Sequence, residues 1–182
     1  FTAEWFRKDT KDLLLRKPAP QYNGGGSFWV NQGEVRNSGV EFTITATPLT
    51  DKDIFGWETS LNASYLKNKI IDLAGSDFIV GENYTSIGGG PIQIKKVGYP
   101  IGSFYLYEWA NFNDQGANLY KHQSNGSLTT NPGADDLVTK GQAEPNWTFG
   151  WNNTFTWKNW TLNLFINAAL GQDRLNVSRY AM

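Results

Sequence analysis

The sequence contains no cysteine and a single histidine, His122. A disulfide framework, a thiolate metal site and a histidine cluster are therefore excluded, and no cofactor is expected. Runs of about 18 apolar residues are also missing, which excludes a transmembrane helix. A transmembrane β-strand escapes that test, because it needs only about 9 to 11 residues, half of them polar. The mean hydropathy of −0.47 is compatible with such strands. Neither sign of charge is in surplus: 16 Lys and Arg stand against 17 Asp and Glu, so no global field points to nucleic acid. The chain opens at Phe1 without initiator Met, basic n-region or apolar h-region, and it reads as excised or mature sequence, cut at both ends.

Aromatic residues are abundant: eight Trp, eight Tyr and eleven Phe. The stretch WTFGWNNTFTWKNWTLNLFINAAL, residues 147 to 170, shows their arrangement. Trp147, Phe149, Trp151, Phe155 and Trp157 share one side of a strand, opposite Thr148, Gly150, Asn152, Thr154 and Thr156. After Lys158 and Asn159 the pattern restarts at Trp160, Leu162, Leu164, Ile166 and Ala168, so a hairpin is predicted. The polar face of a soluble hairpin normally carries Lys, Glu, Arg and Asp. Here that face is Thr, Asn and Gly, which suits a strand lining a wet interior while its other side meets lipid. A buried hairpin in a soluble β-protein is the competing reading.

Further strands are predicted from Phe1, from Val40 to Ala46 ending at Pro48, and from Trp57 to Tyr65. The stretch KPAPQYNGGGSFWV reads as a loop, because Pro18, Pro20 and Gly24 to Gly26 discourage pairing. Residues 67 to 142 read as a long, extracellular loop region with some internal strands, and loops of that length are usually functional. Connections thus alternate long, short, long, short, as in outer-membrane barrels. Trp57, Trp157 and Trp160 fall at one end, as an aromatic girdle would. Five strands are too few to close a barrel of about eight or more. A fragment of a larger barrel, a chain with weakly patterned extra strands and an open sandwich all remain.

At NQGEVRNSGVEFTI the sequence resembles the SusC/RagA-like TonB-dependent outer-membrane transporters of Bacteroidetes, through Asn31, Gly33, Asn37, Gly39 and Glu41 in an N-x-G-x-x-x-N-x-G-x-E run. WETSLNASYLKNKIIDL is similar to a strand of that family. GYPIGSFYLY resembles its G-x-P-x-G-x-x-Y segment through Gly98, Pro100, Gly102 and Tyr105. NDQGANLYKHQSNG resembles a further stretch through Asp114, Gly116 and Tyr120, and Pro145, Gly150, Trp157 and Trp160 fall where the family has a Pro, a glycine and an aromatic hairpin. The resemblance implies an all-β fold of antiparallel strands with long loops, with residues 1–182 a partial segment of a large transmembrane β-barrel of about 22 strands. It implies an outer-membrane location, a plug elsewhere in the protein, and uptake of glycans or peptides driven through TonB. Its implied partners are outer-membrane lipid, a SusD-like lipoprotein and an oligosaccharide or peptide substrate, with no nucleic acid.

Candidate residues divide between contact and scaffold. Trp29, Phe104, Tyr105, Tyr107 and Trp109 lie on predicted outer loops, where aromatic faces stack on sugars or peptide side chains, or pack the loop itself. Gly33 and Gly39 read as turn, bulge or crowded backbone positions, and Asn31, Asn37, Glu41, Gly98, Pro100 and Gly102 read as structural with them. The triplets Gly24 to Gly26 and Gly88 to Gly90 precede no Lys-Ser/Thr pair and are not phosphate cradles. Residues 113 to 116 match a calcium loop poorly. Glu108 and Asp114 form a glycosidase pair only if their carboxyl groups lie at the right spacing. The sequence reads as a non-enzyme. A soluble β-sandwich that binds carbohydrate is the alternative, with Trp147 to Trp157 buried in a dry core.

Overall fold

The structure, a computed structural model, describes residues 1–19, 22, 24–51, 54–81 and 91–176. Pro20 and the triplet at 88–90 lie outside them. In chain order the strands are β1 (Thr2–Thr10), β2 (Leu14–Pro18), β3 (Ser27–Asn31), β4 (Glu34–Asp51), β5 (Phe55–Asp72), β6 (Phe78–Val80), β7 (Gln93–Lys96), β8 (Ser103–Tyr107), β9 (Trp109–Phe112), β10 (Asn118–Lys121), β11 (Leu128–Thr129), β12 (Leu137–Gln142), β13 (Trp147–Trp157) and β14 (Trp160–Leu170). No helix among the described residues is long and apolar enough to cross a membrane.

The alternating segments form one antiparallel sheet in the order β1-β4-β5-β13-β14. Its register stacks like on like. One face carries the row Ala3, Phe42, Ala63, Phe149 and Ala168, and above it Trp5, Val40, Tyr65, Trp147 and Leu170. The other face carries Thr2, Thr43, Asn62, Gly150 and Asn167. A slip of one residue would exchange the faces, so the pattern specifies the register strongly.

Aromatic side chains bound the apolar face at both ends. Trp57 stacks on Phe155 at 6.0 Å, next to the pair Trp157 and Trp160. At the other end Tyr65 meets Trp147 at 4.9 Å. Ten residue steps separate Trp157 from Trp147, about 33 Å along the strand. At a tilt of about 40° that is about 25 Å of height, the thickness of a lipid-facing band. The band holds one buried polar side chain, Asn153, which is 2% exposed and accepts a 3.1 Å hydrogen bond from Trp57 Nε1.

The sandwich alternative does not form. Among the described residues no second sheet covers the apolar face, and Trp151, Trp157, Trp160 and Leu162 are all exposed. The buried cluster is Leu15, Val35, Ile70 and Leu73, at the long-loop end of β4 and β5. Two local expectations also change. β4 does not stop at Pro48: a register shift between Ala46 and Leu49 accommodates the missing N–H, and pairing resumes to Asp51. The predicted loop at residues 17 to 30 falls within a hairpin of β2 and β3, with Gly24, Gly25 and Gly26 at φ 89, 68 and 86° in its turn.

Gly39 has a separate reason. A Cβ there would collide with the Tyr65 carbonyl oxygen, and it would also meet the Phe6 ring at 2.9 Å. The cross-strand aromatic thus covers the glycine on the polar face.

Leu61 on the apolar face and Asn62 on the polar face give a paired test in the full-length protein. Leu61→Asp is expected to destabilise the folded barrel by up to roughly 2–4 kcal/mol, the scale of charged residues on lipid faces. Asn62→Asp is expected to be mild. Denaturant titration of the reconstituted protein measures both.

Candidate functional site

The polar face of the large sheet is a shallow groove of about 390 Å³, floored by Glu41, Thr43, Asn62, Ser64, Thr148 and Gly150. Its hydrogen bonds run sideways between strands. Thr43 Oγ1 donates to Asn62 Oδ1 at 3.0 Å, and Thr154 Oγ1 donates to Asn163 Oδ1 at 2.9 Å. Glu4 and Glu41 stand directly opposite each other on this face. Like charges in that arrangement repel, so the pair favours a cation between them.

Above the groove, the residues of the two glycine-containing segments interlock. Asn68 Nδ2 donates to Asn37 Oδ1 at 2.7 Å, while Asn68 Oδ1 accepts from the Ile101 amide at 2.9 Å. Gly98 donates its amide to the Ile70 carbonyl, and the Ile70 amide donates to the Tyr99 carbonyl, each at 2.9 Å. The Pro100 carbonyl accepts from both the amide and the hydroxyl of Ser103, which is fully buried. Gly102 accepts from the Ala143 amide at 3.0 Å. Gly33, at φ 135°, lies against Leu15 in the buried cluster. Asn31 ends β3 opposite Leu14. These residues pin the turn 97–103 and the hairpin β2-β3 to the top of the wall.

The loop region builds two small sheets, β11-β10-β9 and β12-β8-β7-β6. Beside them lies a cavity of about 370 Å³ bounded by Tyr107, Glu108, Trp109, Lys140, Asp173 and Arg174. Glu108 Oε1 accepts from Lys140 Nζ at 3.0 Å and from Lys121 Nζ at 3.2 Å. These two contacts hold its carboxyl below the usual range, Lys140 foremost. An acid kept ionised in this way is unsuited to donating a proton to a glycosidic oxygen. Asp173 ties the segment after β14 to β12: its amide donates to the Gln142 carbonyl at 2.7 Å, and its Oδ2 accepts from the Gln142 amide at 3.1 Å.

The five aromatics singled out from sequence separate here. Tyr107 and Trp109 are exposed at the cavity, and Phe104 lines it while being largely buried. Tyr105 lines a different cavity with Phe78 and Tyr99. Trp29 is exposed on β3, in the other hairpin. Lys140, Asp173 and Arg174 carried no signal in the sequence, because lone charged residues in unpatterned stretches have no period to mark them.

Two polar knots shape the loops. Asn113 Oδ1 accepts from the amides of Gln115 and Ala117 at 3.1 and 2.8 Å, which commits the oxygen a calcium ion would need. Asp136 is buried, accepts from the amides of Gly133 and Gln123 at 2.9 and 3.0 Å, and contacts His122 Nδ1 at 2.9 Å.

Comparison with known proteins gives consistent matches. Residues 1–169 match the family model described as TonB dependent receptor-like, beta-barrel. The chain is 34% identical to TonB-dependent receptor P3 of Formosa agariphila, over 95% of this chain and 19% of that protein. It is 37% identical to TonB-dependent receptor SusC of Bacteroides thetaiotaomicron, over 57% of this chain and 11% of that protein. It superposes on the RagAB peptide importer in its open-open state with a TM-score of 0.79 at 25% identity, over 93% of this chain and 18% of that one. The chain therefore spans about a fifth of the length of the relatives it matches over most of its own length.

The Asp136 knot yields a pH test. The Gly133 and Gln123 amides, with a smaller part from His122, lower its pKa below the ordinary 3.8. A depressed carboxyl contributes stability above its unfolded pKa and loses it as pH falls through the folded value. Hydrogen exchange at the Gln123 and Gly133 amides, corrected for intrinsic rates, is expected to stay slow at neutral pH and to accelerate only below 3.8. Asp136→Asn is expected to show fast exchange already at neutral pH.

Proposed function

Because the chain belongs to the TonB-dependent receptor-like β-barrel family of the outer membrane, in its SusC/RagA-like form, we propose that it is wall and outer loop of an importer for oligosaccharides or peptides. The observation that carries this reading is the two-faced sheet. Its outward band between the aromatic rows carries no charge, and its inward face offers Thr, Ser and Asn. A hydroxyl- and amide-rich wall, interrupted by Glu4, Glu41 and Glu58, hydrogen-bonds to sugar hydroxyls or peptide amides at a net of about 0.5–1.5 kcal/mol each. Contacts of that strength guide a cargo without trapping it.

Cargo enters from the long-loop side. Tyr107 and Trp109 at the loop cavity supply flat apolar faces for a sugar ring or side chain, while Arg174, Lys140 and Glu108 supply charges of both signs. RagAB, whose fold this chain shares over most of its length, is a peptide importer. The short Asp51 to Phe55 and Lys158 to Asn159 turns face the periplasm in this reading. A plug from elsewhere in the protein occupies the lumen, TonB drives transport and a SusD-like lipoprotein covers the loops. Glu4 and Glu41 then receive a cationic group from the plug or the cargo.

Environment-sensitive labels at single cysteines replacing Leu61 and Asn62, in the full-length protein in its native membrane, test the wall. Lipid at 61 with water at 62 is expected, and a dry protein interior at 61 would overturn the reading. Trp109→Ala tests the loop cavity: uptake by the full-length protein is expected to fall several-fold, with barrel folding unchanged. Wild-type uptake in that variant removes the cavity from the cargo's path.

A further inference from the structure

Charge vanishes from the outward face between the aromatic rows and returns abruptly above them. On the long-loop side of the row Trp5, Val40, Tyr65 and Trp147, the next outward row holds Arg7, Ser38 and Lys67. The row beyond it holds Asp9, Arg36 and Lys69. Four cations therefore surround Ser38, whose small side chain leaves the floor between Arg7 and Lys67 low. Strand spacing of about 4.8 Å puts Arg7 and Lys67 about 10 Å apart across that floor, and Lys69 stands about 7 Å further up the strand from Lys67.

The acids nearby leave this cluster positive. Arg36 Nε donates to Asp9 Oδ1 at 2.6 Å, and Arg7 Nη2 donates to Asp9 Oδ2 at 3.0 Å, so one carboxylate serves two guanidinium groups. Glu34 lies 3.6 Å from Arg36 and 4.0 Å from Lys11, a further cation at the same edge. Lys67 and Lys69 are exposed and form no ion pair among the described residues. Lys96, whose ammonium sits 5.2 Å over the Tyr99 ring, adds positive charge on the turn whose Gly98 lies against the Lys69 stem.

Height fixes what such a patch meets. Lys67 and Lys69 lie two and four residues above Tyr65, about 5 and 10 Å of height at barrel tilt. That is headgroup level, not hydrocarbon and not bulk water. Long basic side chains there extend away from the apolar band and attract lipid anions. We propose that Arg7, Arg36, Lys67 and Lys69, grouped around Ser38, bind the phosphate of an outer-leaflet lipid whose headgroup carries more than one phosphate. Two separated lysines with no partner and two guanidinium groups sharing one acid match several anionic groups better than a single one. The proposal rests on the outward face being the lipid face.

The test titrates full-length, detergent-purified protein with a bisphosphorylated glycolipid, counting bound lipids by native mass spectrometry. Lys67→Gln combined with Lys69→Gln is expected to weaken binding roughly tenfold or more, and Lys67→Arg combined with Lys69→Arg to retain it. The dephosphorylated glycolipid is expected to bind the wild type no better than the double Gln variant binds the phosphorylated one. Unchanged affinity in the double Gln variant overturns the proposal. So does equal competition by inorganic phosphate, which would make the patch a free-anion site. Loss of a copurifying lipoprotein with lipid binding intact would make it a protein contact instead. If Leu61 reports lipid while the titration shows no dependence on the lysines, only this proposal fails. If Leu61 reports a dry interior, its premise fails as well.

Discussion

A strand that separates two solvents has no tolerance for a shifted register. Each residue step reverses the direction of the side chain, so the row Val40, Tyr65 and Trp147 reaches the outward side only if β4, β5 and β13 all pair as they do. Backbone groups inside a bilayer must also be satisfied by neighbouring strands, because hydrocarbon offers no hydrogen bonds. The long ladders of β4 with β5 and β5 with β13 meet both demands together. Everything else in the chain, including the loop sheets and the cationic rows, hangs from those ladders.

Within that frame the sequence distributes chemistry by height. Trp57, Phe155, Trp157 and Trp160 mark one interface, Trp5, Tyr65 and Trp147 the other, and lysine and arginine begin directly above the second. The polar groups of the band lean on one another, although the Asn153 Nδ2 has no partner among the described residues. Asn153 has its oxygen bonded to the Trp57 indole, and Trp151 Nε1 donates to Thr59 Oγ1 at 2.8 Å. Both acceptors lie toward the Trp57 end, where water is closer than at the band centre.

The five wall strands, their faces and the tight turn at Lys158 and Asn159 were legible because alternation at period two is a local property of the sequence. The short strands of the loop sheets were not. β6, β7, β9 and β11 are two to four residues long, too brief for a period to declare itself. Pro48 suggested an end to β4 because a missing donor normally breaks a ladder; the bulge beside it was not visible from residue order. Gly24 to Gly26 discouraged pairing in expectation, yet they form the turn of a hairpin whose strands Leu14–Pro18 and Ser27–Asn31 carry no alternation. The inner wall of the candidate site was readable from Thr43, Asn62 and Thr148. The loop cavity was not, because Glu108, Lys140 and Arg174 come together from three distant places in the chain.

The bonds of Asn68 tie two levels of organisation together. This residue reaches Asn37 across the ladder and Ile101 in the turn above it. Both contacts require the Asn68 side chain on the inward face, which it reaches only in the native pairing of β4 with β5. A strand that pairs one residue out of step turns Asn68 outward and removes the side-chain bond to the Ile101 amide, one of the contacts that fasten the turn. Docking of the turn is thereby linked to correct pairing of the wall, because the same asparagine that meets its partner across the β4–β5 ladder also holds the segment above it.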